Sequence, residues 1–170
     1  MKKILVVDDS ALMRRVICDI INRDERFQVV AKAKDGLEAL ELLSKNTYDA
    51  VVLDVNMPNM SGLELLKELR DRRIPARVMM ASTDTKEGAK TTMDALELGA
   101  LDFVYKPSNA IDCRTEVFQS ELLRTLEVTT ISRLPAFEKT FTAESIKKTK
   151  QVTELARKHG SSIKGNKIVA

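Results

Sequence analysis

Residues 51–62 read VVLDVNMPNMSG. Val51, Val52 and Leu53 have high strand propensity and are the kind of residue that fills a buried strand, yet they run straight into Asp54. A loop containing Pro58 and Asn59 follows and reaches Gly62, where helix-period sequence begins. A carboxylate at the end of a core strand can cap the next helix, bind a metal, or be the atom on which chemistry is done. The rest of the chain decides among these.

Working outward, short β-branched runs alternate with helix-period stretches over the first 106 residues. The strands are predicted at Lys3–Asp8, Phe27–Ala33, Tyr48–Asp54, Ala76–Ala81 and Ala100–Tyr105, and the helices at 10–23, 36–46, 62–73 and 86–98. In the first helix Leu12, Val16 and Ile20 recur every four residues, with Met13, Ile17 and Ile21 beside them. Gly99 stands where a helix would need a left-handed C-terminal residue. A fifth helix is expected at about 110–130, with Phe118, Leu122 and Leu126 on one face. Strands that read as mostly continuous apolar runs are buried on both faces, so the repeating pattern implies an α/β fold: a parallel sheet with helices on both sides.

Composition narrows the class. The chain has 170 residues, 44% hydrophobic and 31% charged, which suits a globular protein with a real core. No apolar run approaches the ~20 residues of a membrane span. The apolar start Ile4–Val7 ends in two acids, unlike a secretory signal. Cys18 and Cys113 have neither metal-ligand spacing nor a disulfide framework and read as reduced thiols of a cytoplasmic protein. The net charge of +3 is divided unevenly: residues 139–170 hold eight basic side chains against Glu144 and Glu154, and the remainder is acidic.

In open α/β sheets ligands bind beyond the carboxyl ends of the strands, where the winding reverses. For strand order 2-1-3-4-5 that point lies between strands one and three, which end in Asp8-Asp9 and Asp54. Two like charges ~4 Å apart at an effective dielectric of ~20 repel by about 4 kcal/mol, so three converging carboxylates need a proton or a cation. All-oxygen ligation favours a hard divalent ion such as Mg²⁺. Taken singly, Asp9 or Ser10 reads as a helix cap and Asp54 as the start of a turn. Taken together, at the ends of the two relevant strands, they read as a site. Ser82 ends strand four and Lys106-Pro107 ends strand five. Acids, cation, hydroxyl and ammonium form the set that stabilises a phosphoryl group on a carboxylate. A cis Lys106-Pro107 bond is one way to aim the ammonium inward.

VVDDS, LDVNMPNMSG, MMAS and DFVYKP resemble, in order and separation, the motifs of two-component response-regulator receiver domains over about residues 1–130. The resemblance implies a flavodoxin-like (βα)5 fold with sheet order 2-1-3-4-5. It makes Asp54 the phosphoacceptor for a partner histidine kinase and Asp9 the direct ligand of Mg²⁺ (or Mn²⁺). Asp8 would hold metal-bound water, and the Asn56 backbone carbonyl would complete the metal site. Lys106 would pair with the phosphoryl group, Ser82 would be the switch hydroxyl, and Phe103 the aromatic that changes rotamer with it. Ser61 stands where many members have Asp, in a loop position not expected to affect the chemistry.

DDSALMR and LELGALDFVYKPS are further similar to the receiver of the chemotaxis protein-glutamate methylesterase family, in which a linker and a hydrolase domain acting on chemoreceptors follow. On that resemblance, residues 1–130 are the receiver, 131–167 a linker with one basic helix at about 143–159, and 168–170 the start of a catalytic domain. The chain itself would hold no catalytic hydrolase residue. His159, in KHGSS, has neither an orienting acid nor an oxyanion loop beside it. Three rivals are weighed. One is a stand-alone receiver acting through protein contacts. Another is a nucleic-acid-binding output, disfavoured because the basic tail is short and holds one aromatic, Phe141. The third is a dehalogenase-type phosphatase, which expects an acid where Asn56 stands.

Overall fold

The protein, described by a computed structural model at residues 1–83 and 88–134, lies within one unit, Met1–Phe137. The strands are β1 (Lys2–Val7), β2 (Phe27–Ala33), β3 (Ala50–Asp54), β4 (Val78–Ser82) and β5 (Asp102–Tyr105). The helices are α1 (Ala11–Asn22), α2 (Gly36–Lys45), α3 (Gly62–Asp71), α4 (Gly88–Glu97) and α5 (Glu116–Ile131). All strand pairs are parallel and the sheet order is β2-β1-β3-β4-β5. The start expected for the fourth helix at 86, the basic helix at 143–159, most of the 131–167 linker and the strand at 168–170 lie outside the described residues.

Alternation along the strands divides the core between two faces. Ile4 and Val6 of β1 pack with Val16, Ile17, Ile20 and Ile21 of α1 and with Phe118, Leu122 and Leu126 of α5. Leu5 and Val7 face the other way, onto Leu40 and Leu43 of α2, Leu65, Leu66 and Leu69 of α3, and Ala95 of α4. Every residue of β3 and β4 is buried, as expected of central strands covered on both sides.

Departures from the sequence expectations fall at edges and element ends, and β3 and β5 start at Ala50 and Asp102 instead of Tyr48 and Ala100. Leu12 is 62% exposed, because α1 buries the Met13–Val16–Ile17 side and turns Leu12 to solvent. Strand β2 alternates between buried and exposed residues because it is an edge. Its register skips Val30, and Asn22 Oδ1 accepts the Val29 N–H at 2.8 Å, two devices that blunt an exposed edge. The fifth helix starts at Glu116, capped by Thr115, after a 3₁₀ turn at Asp112–Arg114. Strand β4 begins at Val78 instead of Ala76.

Gly99, at φ 112°, takes the left-handed conformation expected after α4. Arg77 Nε donates to Ser132 O at 2.7 Å and fastens the end of α5 to the sheet.

Helix starts are set by side chains. Ser10, Asp35 and Thr115 each accept a backbone N–H of the first turn, and Ser61 and Glu64 form a reciprocal capping box. Such caps contribute about 1 kcal/mol each. Ser61, placed in a loop by the sequence reading, thus serves as the cap of α3.

The entry to α3 is tight. Gly62 N donates to Val55 O at 2.8 Å, and a Cβ at Gly62 would lie 2.2 Å from the Asp54 carbonyl oxygen. Because that neighbour is backbone, Gly62→Ala is expected to cost about 1–3 kcal/mol in urea unfolding. A variant as stable as the wild type would show that the loop yields freely.

Candidate functional site

The sheet order places the ends of β1 and β3 side by side, with Val7 paired to Leu53. Asp8 and Asp9 follow β1, and Asp54 closes β3. Carboxylate oxygens of the three lie within 4.8 Å of one another. Asp8 and Asp54 are buried while Asp9 is exposed, so the cluster opens to solvent on one side. Ser82 closes β4 and is 1% exposed; Lys106 follows β5 and is 6% exposed. The residues expected at the strand ends thus share one sheet edge.

The polar partners give each acid a distinct position. Lys106 Nζ donates to Asp8 Oδ2 at 2.6 Å and lies 3.4 Å from Asp54 Oδ1. Asp8 Oδ1 accepts the Ser10 N–H at 2.9 Å, so both Asp8 oxygens are engaged. Asp54 Oδ1 also accepts the Val55 N–H at 2.8 Å, while Asp54 Oδ2 accepts no hydrogen bond among the described residues.

The cis option at Lys106-Pro107 is not taken: the bond is trans, as are all those described. Lys106 is aimed inward instead by β5 itself. Tyr105 pairs with Ser82 across the ladder, and Lys106 N donates to Ser82 O at 2.9 Å, which fixes the residue at the strand mouth.

Three carboxylates against one ammonium leave an excess of negative charge in a largely buried site. Burial pushes the Asp54 carboxyl up to about 6 from its ordinary 3.8, with Asp8 adding to the shift and Lys106 opposing it. Because the folded value lies above the unfolded one, ionised Asp54 works against folding. Its favourable contribution is complete below about pH 4 and is lost as the pH rises through 6. Asp54→Asn, which cannot ionise, is therefore expected to raise the melting temperature of chelator-treated protein at neutral pH, by roughly 1–3 kcal/mol of stability. The gain should disappear near pH 4. Calorimetric melts across that range test it, and an unchanged or lower midpoint at neutral pH counts against the electrostatic picture.

The donor set fits a small hard dication. It offers only carboxylate oxygens, carries surplus negative charge, and has an exposed acid at its mouth. Asn56 lies exposed in the loop after β3, two residues beyond Asp54. Phe103 is half-buried and meets Tyr105 edge-on at 5.5 Å. Both line a groove with Thr83, Met93, Lys106 and Pro107, so open space adjoins the aromatic pair next to the site.

Two supports escaped the sequence reading. The loop after β3 is tied to the head of α2: Asn59, at φ 67°, donates from Nδ2 to Asp35 Oδ2 at 2.8 Å, and Gly36 N donates to Met60 O at 3.0 Å. An Asn after proline, able to adopt the left-handed region, was the available signal. Arg14 Nη1 donates to Asp8 O at 2.6 Å. Nothing in a surface-type arginine on a predicted helix marks such a contact.

Comparison with known proteins agrees with this geometry. The response regulator receiver domain model matches residues 4–118. A protein-glutamate methylesterase/protein-glutamine glutaminase of Pyrococcus horikoshii is 47% identical over 121 residues, covering 71% of this chain and 33% of that protein. Its namesake in Methanococcus maripaludis is 37% identical over 149 residues, covering 88% of this chain and 40% of that one. The chain thus spans between a third and two fifths of the length of these curated relatives. The response regulator domain of Thermotoga maritima CheB superposes with a TM-score of 0.69 at 40% identity, covering 78% of this chain and 98% of that domain.

Proposed function

The chain belongs to the response regulator receiver family, and on that premise we propose that Asp54 accepts a phosphoryl group from a phosphohistidine of a partner histidine kinase. The observation that carries this reading is the convergence of Asp8, Asp9, Asp54 and Lys106 at one sheet edge. In the transfer, Asp54 Oδ2 attacks phosphorus, the phosphorus–nitrogen bond breaks, and the imidazole departs with its electron pair. Asp9, Asp54 and the Asn56 backbone carbonyl would hold Mg²⁺ (or Mn²⁺), and Asp8, whose oxygens are engaged by Lys106 and the Ser10 N–H, would support the ion indirectly. When bound, the ion neutralises charge on the phosphoryl oxygens. Lys106 turns from the carboxylates toward those oxygens, and Ser82 donates its hydroxyl to them.

The new group brings roughly −1.5 to −2 of charge to a site that already carries an excess. Ser82 and Lys106 follow it, and Phe103 takes up a new rotamer in the adjoining groove. The result is a population shift between two packings of one fold.

The relatives' names and length support reading the chain as the regulatory part of a chemotaxis protein-glutamate methylesterase/glutaminase, and the sequence resemblance adds chemoreceptors as the ultimate target. The same comparison weighs against a stand-alone receiver. No helix among the described residues is long and apolar enough to cross a membrane, and a cytoplasmic location fits this reading.

Incubation with Mg²⁺ and acetyl phosphate tests the central step. A single phosphoryl increment that needs the divalent ion, and is replaced by a hydride-trapped residue at position 54 after borohydride, is the expected result. Incorporation at another residue, or equal incorporation in chelator, refutes it.

A further inference from the structure

We infer that Arg14 is a positioning residue for the metal site, acting on the peptide that joins its two adjacent acids; this rests on the metal-binding reading above. The carboxylate of Asp8 is fixed by Lys106 and the Ser10 N–H, and that of Asp54 by the Val55 N–H and Lys106. Asp9 differs. It is exposed, and its carboxylate makes no hydrogen bond among the described residues. The position of Asp9 is thus inherited from its backbone.

That backbone leaves the sheet at Asp8, whose N–H is held by Ala33 O at 3.1 Å, and re-enters order at Ser10, the cap of α1. The intervening peptide carbonyl, Asp8 O, is held by Arg14 Nη1 at 2.6 Å. Arg14 is half-buried, and its own N–H donates to Ser10 O at 2.8 Å. Its side chain therefore reaches back from the first turn of α1 to the loop that joins β1 to α1. A peptide pinned at this carbonyl cannot rotate, and rotation of that plane is what would carry the Asp9 carboxylate away from Asp8 and Asp54. A charge-assisted hydrogen bond to a carbonyl is suited to this task.

Charge alone predicts the opposite sign. A guanidinium near a dication repels it, so removing Arg14 for purely electrostatic reasons would tighten Mg²⁺. Positioning predicts weakening in spite of the lost repulsion, and the sign of the effect separates the two.

The test is titration of the whole chain with Mg²⁺ by calorimetry and with Mn²⁺ by electron paramagnetic resonance, which need no turnover. Arg14→Met keeps the aliphatic stem and removes the donor; Arg14→Lys keeps a donor and the charge. Arg14→Met is expected to weaken both ions roughly 10-fold, and Arg14→Lys, which keeps a donor and the charge, to weaken them less. Circular dichroism melts confirm folding, and if Arg14→Met does not fold, Arg14→Leu, which also lacks a donor, takes its place with the same expected weakening. Unchanged or tighter binding in the donor-free variant overturns the inference while leaving the metal site standing. Failure of the wild-type chain to bind either ion overturns the metal-site reading, and this inference with it.

Discussion

Asp54→Asn is expected to take up no phosphoryl group from acetyl phosphate or from a phosphorylated kinase, under conditions that label the wild type to completion. Amide nitrogen is a poor nucleophile, and the substitution also removes one anionic ligand from the dication. The loss should be total at the level of intact-mass detection, with the fold retained or stabilised, since a carboxylate that burial holds near pKa 6 has been replaced by a neutral group. The combination of a more stable fold and an abolished reaction is diagnostic. A merely damaged protein would lose both. Phosphorylation of the variant at wild-type yield would move the acceptor elsewhere.

Lys106→Met should have the largest effect on stability. The Lys106 side chain is 5% exposed and its ammonium serves two buried carboxylates at 2.6 and 3.4 Å. Its removal leaves Asp8 and Asp54 without a cation, the situation in which breaking a buried pair costs about 3–5 kcal/mol. The sign of the pH dependence follows from the same groups. With Lys106 gone, the Asp54 carboxyl that burial already holds near 6 rises further, so the penalty is greatest at neutral pH and shrinks as acid protonates Asp54. Mg²⁺ should restore part of the loss by supplying the missing charge. Urea unfolding at neutral and mildly acidic pH, with and without Mg²⁺, checks all three. A loss of the same size in every condition would mean that Lys106 contributes packing alone. The variant is still expected to bind metal and accept the phosphoryl group, while the accompanying shift of the Phe103 ring resonances is lost.

The sheet and the site were legible in the sequence for one reason: in a parallel sheet, strand-end residues meet whatever lies between them in the chain. Asp8, Asp54, Ser82 and Lys106 each follow a short apolar run, so placing the runs placed the side chains. The central strands β3 and β4 read cleanly because burial on both faces makes every position apolar. Edges and ends read less well. Leu12 shares the period of the buried face of α1, yet lies outside it, since periodicity fixes a helical stripe but not its width. The 3₁₀ turn before α5 passed for helix because Asp112–Arg114 has no breaker. The trans Lys106-Pro107 bond and the contact of Arg14 with Asp8 O depend on three-dimensional register, which local sequence does not encode.

A crystal structure of the chain grown with Mg²⁺ and beryllofluoride, a mimic of the phosphoryl group, tests the central claim most directly. It should show the ion about 2.0–2.1 Å from carboxylate oxygens of Asp9 and Asp54 and from the Asn56 carbonyl, beryllium on Asp54 Oδ2, and Lys106 Nζ turned to a fluorine. An ion bound elsewhere, or a mimic that bypasses Asp54, would contradict the account.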